Sequence, residues 1–125
     1  MPVNETSRNL IESAWEDRAR LSPGNAPAEL RGAISDCLDA MERGELRVAE
    51  PAAADGGSRW HVNEWLKKAV LLYFRISRNE VVPGGCTHYF DKVPLRWSSA
   101  GGGDIAGAGA RIVPLWNLWN TSGPK

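Results

Sequence analysis

The sequence predicts a mainly α fold of α+β type: a helix hairpin, a short β-ribbon, a buried third helix and an extended, flexible C-terminal tail. Three stretches carry that expectation. Leu30, Ala33, Ile34, Cys37, Leu38 and Met41 recur at i, i+3, i+4 and i+7, the spacing that gathers apolar side chains on one face of a helix. NEWLKKAVLLYFRI, from Asn63, is apolar at positions 65, 66, 69, 70, 72, 73 and 74. That is more than one stripe, so this helix is expected to be the most buried element. Between the two, Leu46, Arg47, Val48, Ala49 and Glu50 alternate as a short strand does.

Taken in order, Leu10, Ile11, Ala14, Trp15 and Ala19 share one face of a first helix. Thr6 or Ser7 is its expected cap, and Ser22-Pro23-Gly24 its stop. The second helix starts near Asn25 to Pro27, because a proline's missing N–H is unpaired in a first turn anyway. Gly44 ends it by tolerating a left-handed backbone. These two helices form the hairpin. Pro51 to Gly57 reads as a small-residue turn and Arg59 to Val62 as the return strand. Asn63 then caps the third helix, with Lys67 and Lys68 on its wet side. Pro83, Gly84 and Gly85 read as turn. Ser98 to Ala110 is a Gly- and Ala-rich linker, and Arg111 to Pro114 a last strand or extended connector. The expected organisation is a helical domain over 1–97, a linker over 98–114 and a Trp/Asn-rich tail over 115–125.

At 125 residues the chain fits one domain with a modest core. Its formal net charge of zero gives no bulk attraction to nucleic acid or to a membrane surface. No apolar run approaches the ~20 residues that span a bilayer. The polar start MPVNETSRN is no signal peptide, so the cytoplasm is the expected compartment. Cys37 and Cys86 lack metal spacing, and Cys37 lies on an apolar helical face as a core thiol.

No motif points to catalysis. His61 and His88 have no carboxylate or cysteine at ligand spacing, so neither a metal nor a cofactor is expected. Cys86 and His88 are close, but a Cys-x-His in a turn does not make a nucleophile and base. GGGDIAGAG (101–109) lacks the preceding strand, following helix and acidic residue of a dinucleotide loop, and linker is the better reading. Lys67, Lys68 and Arg75 either contact an acidic partner or form a solvated helix face. Trp60 and Trp65 are expected in the core.

LRVAEP (46–51), HVNEWLKKAVLLYFRI (61–76) and YFDKVPLRW (89–97) together resemble one family, and IESAWEDRARLSP (11–23) fits it too. It is the N-terminal helical domain of bacterial tetrahydrodipicolinate N-succinyltransferase, an enzyme of diaminopimelate and lysine synthesis. The resemblance covers about residues 8 to 97, and GARIVP (109–114) extends it. It implies a helical N-terminal domain followed by a trimerising left-handed β-helix, where succinyl-CoA and the cyclic dicarboxylate meet between neighbouring subunits. The hexapeptide repeats that the family would show after Pro114 are replaced by LWNLWNTSGPK. The resemblance therefore brings no catalytic residue to this sequence, and the domain is not expected to be an enzyme by itself. Partner recognition is assigned to Trp65, Lys67, Lys68, Arg75, Tyr89, Asp91 and Lys92.

Three uses of such a domain remain open. It is a fragment of, or accessory to, the transferase. Or it is a docking module anchored by Trp116 and Trp119, tryptophan being frequent among interface hot spots. Or it is a folded leader that presents a core peptide, a layout that resembles ribosomally made, post-translationally modified peptide precursors. The third is the leading expectation. A modifying enzyme would grip the folded part and gain a high effective concentration of the tethered tail. Trp116, Asn117, Trp119 and Asn120 would be the altered residues, and a protease would release the tail near Gly109 to Pro114.

Overall fold

The computed structural model describes residues 3–52, 59–85, 87–95, 97, 99–109 and 111. The chain divides into two units, Met1–Val93 and Pro94–Lys125. The first unit contains α1 (Glu5–Glu16), a 3₁₀ turn at Arg18–Arg20, α2 (Ala28–Glu42), β1 (Ala49–Pro51), β2 (Trp60–Val62), α3 (Glu64–Ile76), β3 (Glu80–Pro83) and β4 (His88–Asp91). The second contains α4 (Gly102–Gly107). The mainly α expectation is met, with two small antiparallel ribbons, β1–β2 and β3–β4.

α1, α2 and α3 pack against one another around a single core. Ile11 comes from α1, Leu30, Ile34 and Cys37 from α2, and Leu66, Ala69, Leu72 and Ile76 from α3. The clean apolar stripe of α2 is the face turned inward, as its spacing requires.

The helix ends show why these residues start and stop where they do. α1 is capped by Asn4, not by Thr6 or Ser7. The Asn4 Oδ1 accepts from the Ser7 N–H at 2.9 Å, satisfying one of the four unpaired donors of a first turn. Asn4→Ala is expected to lower the stability of the first unit by about 1 kcal/mol, read from the urea midpoint. α1 also ends earlier than Ser22, at Glu16. The Arg18–Arg20 turn and the Asn25 side chain, which bonds the Ser22 N–H and the Arg20 carbonyl, carry the chain to α2.

α2 closes on Gly44 as expected. Gly44 has φ +75°, its N–H bonds the Met41 carbonyl, and the Glu45 N–H bonds the Ala40 carbonyl. That is the paired 5→2 and 6→1 closure that a left-handed residue permits. Gly44→Ala puts a Cβ in that backbone and is expected to cost about 1 kcal/mol, read from the same midpoint.

β1 begins at Ala49 and takes in Pro51, three residues later than the alternation of 46–50 suggests. Its pairs are Ala49 with Val62, Glu50 with His61 and Pro51 with Trp60. Every residue of the ribbon is exposed, so burial does not set its register. Asn63 fixes it instead. Asn63 is the N-cap of α3, but its side chain makes no capping bond. Its Nδ2 donates to the Arg47 carbonyl at 2.8 Å and to Glu50 at 3.1 Å, and its own N–H bonds the Val48 carbonyl.

The turn expected at Pro83 to Gly85 sits inside a second hairpin that the sequence reading did not identify. Val81 pairs with Phe90 and Val82 with Tyr89. The Gly84 N–H closes the hairpin onto the Thr87 carbonyl at 2.8 Å. A Cβ at Gly84 would run into the Tyr89 ring, so only glycine lets the ring lie there. In the second unit, the stretch read as linker forms the short α4, whose Asp104 carboxylate accepts from the Gly101 N–H at 2.9 Å.

α3 departs most from expectation. It buries Leu66, Ala69, Leu72 and Ile76 along one face, fewer positions than α2 buries. The surplus apolar residues emerge on a second face, where Leu71 is 45% and Phe74 43% exposed. Its last carbonyls are taken by cations from elsewhere. Arg31 donates to the Ile76 carbonyl at 3.0 Å and Lys92 to the Phe74 carbonyl at 2.9 Å. Both also place positive charge at the negative end of the helix dipole.

Candidate docking cleft

The exposed face of α3 lies beside the C-terminal turn of α1. Between them is a cleft of about 340 Å³, lined by Trp15, Arg18, Leu71, Leu72, Phe74 and Arg75. The Arg18 guanidinium stacks over the Trp15 ring at 4.5 Å and donates to the Trp15 carbonyl at 2.7 Å. Arg75 reaches from α3 to the Leu21 and Ala19 carbonyls, both at 3.0 Å. Backbone carbonyls thus hold both guanidinium groups in place. Such an acceptor orients a cation without cancelling its charge. An apolar floor with two fixed positive groups on its rim suits an apolar side chain accompanied by a carboxylate.

A second, wider groove of about 610 Å³ runs past Val3, Arg8, Glu12, Leu46 and Trp65. Arg8 sits 5.9 Å above the Trp65 ring. Glu12, at its edge, pairs with Lys68 across the α1–α3 contact.

The residues singled out for partner recognition scatter over the first unit. Trp65 is half-buried against the core. Lys67 is exposed, but Lys68 is half-buried in its bond to Glu12 and is not simply on the wet side. Arg75 alone of them lines the cleft. Tyr89 lies on β4 against Gly84. The Asp91 carboxylate accepts from the Lys92 N–H. The Lys92 carbonyl accepts from the Tyr73 hydroxyl at 3.1 Å.

Trp60, expected in the core, is 63% exposed on β2, because the ribbon carries it away from the helices. His61 and His88 are both exposed. Cys37 is fully buried, and burial, helped by the Asp36 charge, pushes its thiol up to about 11. Among the described residues no three of His, Cys, Asp and Glu are placed to share a metal ion. None of the described helices is long and apolar enough to cross a membrane. Trp116, Asn117, Trp119 and Asn120 lie outside the described residues, as does Cys86. The sequence does not single out Arg18 or Leu71, and Trp15, expected on the apolar face of the first helix, packs against the core there while also lining the cleft. The one signal of the cleft was a Trp and an Arg three residues apart, the spacing at which helical neighbours touch.

A family profile described as tetrahydrodipicolinate N-succinyltransferase N-terminal matches residues 6–76, which hold α2, α3 and all of α1 but its first residue. Curated relatives named 2,3,4,5-tetrahydropyridine-2,6-dicarboxylate N-succinyltransferase match over more of the chain. The protein of Alkalilimnicola ehrlichii is 48% identical over 107 residues, covering 86% of this chain and 38% of its own length. That of Ralstonia nicotianae is 47% identical over 113 residues, 90% of this chain and 40% of its own. That of Methylococcus capsulatus is 49% identical over 106 residues, 85% and 38% respectively. The chain spans about two fifths of the length of the curated relatives it matches. With a profile match over more than half its length, the chain belongs to the tetrahydrodipicolinate N-succinyltransferase N-terminal family.

Proposed function

We propose that the first unit serves as the N-terminal domain of an N-succinyltransferase acting on 2,3,4,5-tetrahydropyridine-2,6-dicarboxylate. Its part is to brace the portion that transfers the acyl group. The observation that carries this is the profile match over 6–76, extended by relatives of that name at nearly half identity. On this reading acyl transfer belongs to the part of the relatives beyond the two fifths that this chain spans.

The test is a chimaera. The matched residues of this chain replace the corresponding segment of the Alkalilimnicola ehrlichii enzyme, and succinyl transfer is assayed. We expect kcat/KM within about tenfold of the parent, a change of no more than ~1.4 kcal/mol in the barrier. A soluble, folded chimaera with no transfer would sink the reading.

A second use rests on the sequence of residues 115–125 alone, the repeated Trp-Asn pairs of LWNLWNTSGPK. In it the domain is a leader that offers Trp116, Asn117, Trp119 and Asn120 to an oxidising, modifying enzyme, with a protease acting afterwards. The relatives' names lend it no support. Tandem mass spectrometry of the protein from its host decides it. A tail lighter by two hydrogens favours it, and an unmodified tail beside the expressed enzyme removes it.

A further inference from the structure

The strongest unassigned feature is the cleft between α1 and α3. A soluble domain rarely leaves large apolar side chains grouped on a helix face unless something covers them. Here Leu71 and Phe74 are nearly half exposed beside Trp15, while Leu72, one residue away, is fully buried. The apolar content of α3 is thus divided between two opposite demands, one internal and one external. Of the other exposed large apolar residues, Trp60, Val62, Val81 and Phe90 sit on two-stranded ribbons, and Val93 and Leu95 lie beyond β4 outside any helix or strand. Those of the cleft sit on two helices held together by the core, with Arg75 tying α3 to the turn that follows α1. A rigid surface loses little freedom on binding and makes the better interface.

We infer that the cleft formed by Trp15, Arg18, Leu71 and Phe74 seats a segment of the transferase portion that follows this domain in its relatives. The segment presents an apolar side chain flanked by Asp or Glu. This rests on the domain reading above. Two observations select this occupant. The relatives extend over a further three fifths of their length, so in them the domain works beside a larger body. And the rim carries two guanidinium groups already oriented by backbone carbonyls, which a carboxylate complements and a cationic segment does not. Trp15 and the stacked Arg18 are also the residue types that dominate interface energetics.

Hydroxyl-radical footprinting tests this on the full 125-residue chain and on the active chimaera side by side. In the chain alone, Leu71 and Phe74 should be readily oxidised. In the chimaera their modification should fall by about tenfold, as a well-packed interface excludes water. Arg18→Glu and Leu71→Asp in the chimaera should return Phe74 to the reactivity it has in the free chain. Both sites are exposed, so neither substitution should unfold the chain alone. Arg18→Lys adds a direct readout. Carbodiimide treatment should join the new amine to an Asp or Glu of the transferase portion, located by mass spectrometry. Equal reactivity of Phe74 in chain and active chimaera overturns the docking and leaves the domain reading intact. Protection that survives both substitutions overturns it equally, since another surface then carries the contact. An inactive chimaera removes the domain reading and this inference with it.

Discussion

Leu66→Ala should lower the melting temperature of the first unit by about 10 °C or more, through a loss of ~2–5 kcal/mol. Leu66 is fully buried in the cluster that α1, α2 and α3 share. Its removal takes away the transfer free energy of the lost methyl groups and leaves a void that three packed helices close only in part. A domain has about 5–15 kcal/mol in all, so the loss is a large share of it. Leu71→Ala is the matched control. It removes the same atoms five residues along the same helix, from a side chain 45% exposed. Its effect should stay well below half that of Leu66→Ala. A thermal melt followed by circular dichroism measures both. Equal shifts would mean that α3 buries both faces, against the arrangement described here.

Alkaline pH should destabilise the fold through Cys37. The thiolate is disfavoured by burial, so the folded thiol titrates near 11 against an ordinary value of 9.0. The unfolded chain therefore loses its proton first as pH rises. The contribution is whole below pH 9, falls between 9 and 11, and is gone above. Two pH units correspond to about 3 kcal/mol at the limit. Urea midpoints from pH 8 to pH 11 should fall for the native sequence. Cys37→Ala should start lower, because it opens a small void, and then fall less steeply. Parallel slopes would show that other groups govern the alkaline limit. The same burial predicts that iodoacetamide at pH 8 leaves Cys37 unmodified in the folded chain and labels it in urea, as peptide mapping would show.

What could be read from the sequence follows from how directly a residue's role depends on its neighbours along the chain. The α2 stripe and the Gly44 closure are local, and both are where the spacing put them. The cap of α1 depends on which side chain reaches the free N–H groups. Asn4 reaches them two and three residues ahead of the candidates chosen. The β1–β2 ribbon is exposed throughout and the β3–β4 ribbon half-buries only its Val82–Tyr89 pair, so neither shows the alternation by which a strand is legible in sequence. The cleft was least legible. An apolar residue facing a partner and one facing the core look alike in a helical pattern, and only the packing of α1 beside α3 separates Leu71 from Leu72.

Among the described residues, the last to enter the buried core is Ile76. The buried side chains of the three-helix cluster are therefore all synthesised before β3 and β4, and only the Lys92 bonds to α3 come later. Two of its three helix pairs, α1–α2 and α2–α3, are consecutive in the chain, the more local kind of contact that forms fast. On a ribosome making one of the longer relatives, this cluster can be complete while most of the polypeptide is still untranslated. The cleft between α1 and α3 then waits, already shaped, as a template for the chain that emerges next.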